Sequence, residues 1–260
     1  LVPRLVGVCE DPAVADVPVV VMEHVDGIVL DRMEVAESLD PAVRRELGLN
    51  LARTLAHIHA VDVDAVGLGD LASRSPYAER QLKRWSRQFE ASRTQERPDL
   101  DELTELLRAN VPPPGDLSLV HGDFHIRNVI VDGEDDTVRT VLDWELSTLG
   151  DPIADFSYLM LNWHNPTDGR AGLLGLDLET LGIPSQEEAV ERYVARTGFP
   201  VPPMDWYFAY NLFRLAGIMQ GIKKRVIDGT ASSAHAMAMS ERVGPLVDRA
   251  YEFAQSAGMD

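Results

Sequence analysis

The sequence predicts an α+β fold, a few strands segregated from a mainly helical remainder. Three observations carry the prediction. β-Branched runs gather at Leu1–His24 and at Ser118–Leu142. Apolar residues recur at helical spacing over Pro41–Ala60 and again from Pro202 to about Ile227. Between such segments stand turn formers, among them Asp26-Gly27, Pro112-Pro113-Pro114-Gly115 and Gly133-Glu134-Asp135-Asp136. At 260 residues the chain can bury a sizeable core in one large domain or two lobes.

Taken in order, Leu1–Val8 and Val17–His24 read as two strands, with Glu10-Asp11-Pro12 and Asp16 in the loop between them. Two strands alone would leave an unpaired edge and an uncovered face. Pro41–Ala60 is a helix on Val43, Leu47, Leu51, Leu55 and Ile58, with Asp40 as N-cap and Pro41 at its first position. His57 and His59 near its end read as one exposed ring and one ring bonded to nearby backbone. No further ligand-type residue is spaced to complete a metal site with them. Asp70–Ser75 is a loop. Pro76–Ser92 and Pro98–Ala109 are helices, with Lys83, Arg84 and Arg87 as a solvated basic face.

Ser118–His121 is a short strand, and Val129–Val131 with Val138–Leu142 forms a hairpin. Asp151 is a helix N-cap candidate for a helix reaching about Leu161. Gly169–Gly182 reads as a loop and candidate substrate lid. Ser185 with Glu188 spells a capping box, starting a helix to Thr197. Phe208, Leu212, Leu215, Ile218, Met219 and Ile222 mark a long helix, and Ala231–Ala257 a last one.

The net charge of −18 argues against nucleic acid as a partner, because phosphate binding needs clustered Lys and Arg. It speaks first to solubility and second to a cationic substrate. Cys9 stands alone, so no internal disulfide forms, which fits a reducing cytoplasm. No run of about 18 apolar residues marks a membrane span. The start Leu1-Val2-Pro3-Arg4 does not read as a signal peptide.

The chemistry concentrates between Leu119 and Leu159. Asp123 falls on the loop leaving the Ser118–His121 strand, and Asn128 follows five residues later. The hairpin brings Asn128 and Asp143 to one end of its two strands. An amide oxygen beside a carboxylate suits Mg²⁺, which keeps waters and takes other ligands from substrate phosphates. Asp123 stands nearby to receive a hydroxyl proton, the arrangement of phosphoryl transfer.

In this order and spacing, His121-Gly122-Asp123, Asn128 and Asp143-Trp144-Glu145 resemble the aminoglycoside phosphotransferase and choline kinase group. Leu149-Gly150-Asp151-Pro152-Ile153-Ala154-Asp155-Phe156 and Leu55–Asp62 are similar to that family as well. The resemblance implies a protein-kinase-like two-lobe α+β fold. Residues 1–25 would be a remnant of the N-lobe sheet and hinge, and 26–260 a mainly helical C-lobe. It implies a phosphotransferase moving the γ-phosphate of ATP or GTP, with Mg²⁺, to a hydroxyl of a small molecule. Asp123 is the implied base, and Asn128 and Asp143 are the metal ligands. Glu23, His24 and Val25 form the nucleotide hinge, and Ile130 and Leu142 line the adenine pocket. His121 is implied to be structural, and Asp155 to tie its helix to the catalytic loop. A homodimer is a candidate assembly.

Phe213–Lys223 resembles a branch of the family, the phosphotransferase domains associated with acyl-CoA dehydrogenases. That branch implies a hydroxyacyl acceptor and makes Arg214 a candidate for an anionic group on it; a salt bridge in the helical core is the alternative. His164, after the helix that ends near Leu161, is the other acceptor candidate. The lysines are Lys83, Lys223 and Lys224, so none precedes Glu23, and no Gly-rich loop does either. The expectation is an incomplete N-lobe. A nucleotide-binding pseudokinase-like module, or a lobe completed by another subunit, is the alternative. A rival of another class uses His121, Asp123 and His125, spaced to face one side of a strand and hold a transition metal in a metallohydrolase. It leaves Gly122, Asn128 and Asp143 without a role.

Overall fold

The computed structural model describes residues 1–167, 172–230 and 236–259. In chain order its elements are β1 (Leu5–Cys9), β2 (Val19–Met22), α1 (Met33–Glu37), α2 (Pro41–His59), α3 (Tyr77–Ala91), α4 (Pro98–Ala109), β3 (Ser118–Val120), β4 (Val129–Val131) and β5 (Val138–Val141). Then come β6 (Thr148–Gly150), α5 (Pro152–Met160), α6 (Leu178–Leu181), α7 (Gln186–Thr197), α8 (Asp205–Ile227), α9 (Ala236–Ser240) and α10 (Val243–Ser256). Helix starts follow the capping residues. Asp40 accepts from Ala42 N at 2.8 Å and Asp151 from Ile153 N at 2.8 Å. Ser185 and Glu188 form the full capping box, each side chain satisfying the other's backbone N–H.

The chain divides into two compact units. The first comprises Leu1–Ala60, His121–Ser147 and Asn162–Gly198; the second comprises Val61–Val120, Thr148–Leu161 and the chain from Phe199.

In the first unit α2 packs against α7 and β5. Leu47, Leu51, Leu55 and Ile58 of α2 are buried, as are Ala189 and Tyr193 of α7. Each large apolar side chain so buried contributes roughly 1.5–3 kcal/mol. An Arg45–Glu188 ion pair joins the two helices. β4 and β5 pair antiparallel, Val129 opposite Val141, with an irregularity between Ile130 and Val131. Their turn is held from α2, where Asn50 Nδ2 donates to Asp136 O at 2.9 Å. Ile28 bonds Val131 on the outer side of β4, and Val141 N donates to Leu1 O at 2.9 Å. β1 and β2 form a separate antiparallel pair. Leu5, Val6, Val8, Val20, Val21 and Met22 stay 49–59% exposed, so neither face of that pair is covered.

The second unit is built around α8, which contacts α3, α4, α5, α9 and α10. Its Trp206, Tyr207, Phe208, Tyr210, Leu212, Phe213 and Ala216 are buried. A helix apolar on most sides must be enclosed by others. Three of its polar side chains bond to neighbouring elements. Asn211 Nδ2 donates to Ser157 Oγ at 3.0 Å, Gln220 Nε2 to Ser92 O at 2.8 Å, and Tyr207 OH to Asp151 Oδ2 at 2.9 Å. β3 pairs antiparallel with β6.

Several expectations need correction. The first strand starts at Leu5, not Leu1. The last helical stretch splits into α9 and α10, because Pro245, near the start of α10, cannot donate the N–H that would join it to the preceding turn. Residues 231–235 of that stretch, and 169–171 of the expected loop, lie outside the described residues. Within the rest of that loop Leu178–Leu181 forms α6. The pairing of Thr148–Gly150 with β3 was not anticipated. His59 Nδ1 lies 2.7 Å from the Tyr193 hydroxyl, while His57 is exposed.

Candidate active site

The loop His121–Asn128 is shaped by two residues that leave no choice of side chain. Gly122 has φ 83°, and a Cβ there would lie 2.6 Å from Leu146 O. Any other residue would be both strained and in collision. His121 is fully buried. Its Nε2 donates to Leu142 O at 2.9 Å and its Nδ1 accepts from Asp123 N at 3.3 Å. The ring lies 4.8 Å from that of Trp144 and meets Phe124 edge-on. It therefore pins the loop to the end of β5, the structural part expected of it.

Asp123 is partly exposed, so a small molecule can reach its carboxylate. Asn128 ends a 3₁₀ turn, Ile126–Asn128, and is almost buried. Its Nδ2 donates to Asp123 O at 3.0 Å and lies 3.5 Å from Asp123 Oδ2. That bond fixes the amide, and Oδ1, the atom able to ligate a metal, points the other way. Asn128 O accepts from Leu142 N at 2.8 Å, which sets Asp143 one residue beyond the Asn128 carbonyl. Asp143 is exposed, with φ 64° and ψ 56°. So the residues expected to act as base and metal ligands are gathered by two short links, Asp123 to Asn128 and Asn128 to Leu142. The donor set is one amide oxygen and one exposed carboxylate. It fits Mg²⁺, which needs few protein ligands.

The other end of β4 carries the expected hinge. Ile28 pairs with Val131, and Gly27 sits so close that a Cβ would be 2.5 Å from Ile130 Cγ2. The stretch after Glu23, His24 and Val25 thus lies directly on Ile130. Glu23 N donates to Arg4 O at 2.9 Å, while His24 is exposed beside Asp26. Ile130 and Leu142 are both half-buried; Leu142 stands just past the end of β5, not within it.

His164 follows Trp163, whose Nε1 donates to Pro184 O at 2.9 Å. His164 also helps to lower the Glu187 carboxyl, after the larger effects of its own backbone N–H and the Ser185 hydroxyl. Arg214 belongs to the second unit and is 5% exposed, its guanidinium 4.9 Å from the Tyr158 ring centroid and 5.7 Å from that of Trp85. The metallohydrolase rival fails on His121, whose two ring nitrogens are committed to Leu142 and Asp123. Among the described residues no three His, Cys, Asp or Glu side chains gather to hold a metal. What the sequence did not disclose is the contact of His125 with Asp123, Nε2 to Oδ2 at 3.5 Å. The spacing of the two residues had suggested shared metal ligation instead.

A sequence model described as the phosphotransferase enzyme family matches residues 1–207. A crystal structure from Ralstonia eutropha JMP134, of a protein assigned provisionally as an aminoglycoside phosphotransferase, is 38% identical. It superposes with a TM-score of 0.90 over 98% of this chain and 78% of its own. Macrolide 2′-phosphotransferase MphH from Brachybacterium faecium shares the fold at 20% identity, with a TM-score of 0.57 over 94% of this chain and 74% of its own. Among curated proteins, acyl-CoA dehydrogenase family member 10 of Mus musculus is 35% identical over 99% of this chain and 24% of its own length. Family member 11 of Homo sapiens is 31% identical over 95% of this chain and 32% of its own length. The chain therefore spans only about a quarter to a third of those relatives.

Proposed function

Because this chain belongs to the phosphotransferase enzyme family, with its kinase-like α+β fold, we propose that it moves the γ-phosphoryl group of ATP or GTP to a hydroxyl of a small molecule. What supports the reading is that Asn128 bonds Asp123 through its amide and, through its backbone carbonyl, Leu142, the residue before Asp143. Asp123 orients the acceptor hydroxyl and takes its proton, a contribution of roughly 10²–10⁴-fold. Asn128 Oδ1 and the Asp143 carboxylate would hold Mg²⁺. When bound, that ion neutralises charge on the nucleotide phosphates. Ile130 and Leu142 pack against the base of the nucleotide, and the backbone of Glu23–Val25 meets its edge. His164, in the same unit as Asp123, is the candidate acceptor contact.

The relatives named for acyl-CoA dehydrogenase put a hydroxyacyl compound on the acceptor panel, beside aminoglycosides, macrolides and choline. The test is release of nucleoside diphosphate by the full-length gene product with Mg²⁺ across that panel. Turnover should appear with one acceptor class and vanish in Asp123→Ala and in Asp143→Ala. Turnover retained by both variants would remove the enzyme reading. Nucleotide binding without turnover on any acceptor would favour a binding module.

A further inference from the structure

His125 makes a contact that the proposed reaction has not yet used. It precedes the Ile126–Asn128 turn in an extended conformation, φ −153° and ψ 167°. Its Nδ1 accepts the Arg127 N–H at 3.2 Å. A ring nitrogen that accepts carries no proton in the neutral imidazole, so the ring proton sits on Nε2. That nitrogen lies 3.5 Å from Asp123 Oδ2. Asn128 Nδ2 lies 3.5 Å from the same oxygen. The Asn128 amide and the His125 ring nitrogen, held on a turn of the same loop, thus stand 3.5 Å from one carboxylate oxygen. Both side chains of the pair are partly exposed, 20% for His125 and 26% for Asp123.

We propose that His125 is a positioning residue for Asp123, its Arg127-locked ring presenting Nε2–H to Oδ2 and fixing the plane of the carboxylate. Without it the carboxylate turns about its Cβ–Cγ bond, and fewer orientations face the acceptor hydroxyl. A separation of 3.5 Å is long for such a bond, and contacts of this kind shorten when substrate fills a site. The proposal rests on the reading of Asp123 as the group that receives the acceptor proton.

A purely structural histidine would only cap the 3₁₀ turn. Asparagine keeps that cap but lacks a donor at the distance of Nε2, and glutamine places an N–H there. His125→Asn should therefore keep its melting temperature and its KM for Mg·ATP. Its kcat should fall about tenfold, the worth of one hydrogen bond to a charged group. His125→Gln should recover most of that loss. An undiminished kcat in His125→Asn, or equal losses in both variants, overturns the proposal. Asp123→Asn, run beside them, tests the underlying reading; turnover retained there removes that reading and the proposal with it. Independently of any acceptor, ¹⁵N NMR of the His125 ring should report the Nε2–H tautomer, and an Nδ1–H ring overturns the inference.

Discussion

Asp143 carries backbone strain that a hairpin end does not require. It alone, among the described non-glycine residues, has a positive φ, 64°. The left-handed region costs an ordinary residue about 1–2 kcal/mol, and aspartate tolerates it better than most. Strain kept at a candidate metal ligand suggests that the side chain is worth more than the conformation costs. Asp143→Gly separates the two. Glycine relieves the strain but loses about 0.5–1 kcal/mol to the freedom of the unfolded chain. The melting temperature should therefore stay level or rise slightly while phosphoryl transfer is lost. Destabilisation beyond about 2 kcal/mol would instead make the side chain part of the scaffold. The sequence disclosed the identity of Asp143 and its spacing from Asn128, because both are written in residue types. It did not disclose the φ of Asp143 or the His121–Leu142 bond. The first is backbone geometry, and the second ends on a main-chain carbonyl that any residue supplies.

At the scale of elements, legibility followed how local the cause was. The starts of α2, α5 and α7 were readable because each cap acts within three residues of itself. The strand Thr148–Gly150 was not, since three residues acquire strand character only from their distant partner Ser118–Val120. The long helix α8 was legible from its period, but the tyrosines packed on and against it have consequences the period does not reveal. Burial, and then Asp151, push the Tyr207 hydroxyl well above its ordinary value. Burial also raises Tyr77, aided by Tyr210, and raises Tyr210 itself. In the unfolded chain these hydroxyls ionise near pH 10, while the folded protein still holds their protons. The stability they contribute is complete below pH 10 and declines as pH climbs above it, by up to about 1.4 kcal/mol per pH unit for each tyrosine. Urea unfolding at pH 9, 10 and 11 should show this fall, and Tyr207→Phe should make it shallower by one proton. Equal slopes would take Tyr207 out of the account.

For the whole molecule, the two compact units each draw on three separated segments. No change of composition marks where the chain passes from one to the other, so interleaving of this kind cannot be read along a sequence. Net charge can, and it carries its own consequence. The chain holds 42 acidic against 24 Lys and Arg residues. Several arginines are already shared among carboxylates, as Arg93 is between Glu90 and Asp101 and Arg139 is with Asp132. The surplus is negative charge repelling itself over the surface. At 10 mM salt that repulsion reaches about 30 Å, comparable to a domain; near 150 mM it reaches about 8 Å. The surface ion pairs lose strength on the same change, but each contributes at most about 1 kcal/mol. Repulsion among a surplus of 18 charges should outweigh them. Unfolding by urea, with NaCl raised from 10 to 150 mM at pH 7.5, should therefore move the midpoint to higher urea at constant m-value. A midpoint that falls with NaCl would show that the paired arginines, not the excess carboxylates, set the electrostatic balance of the fold.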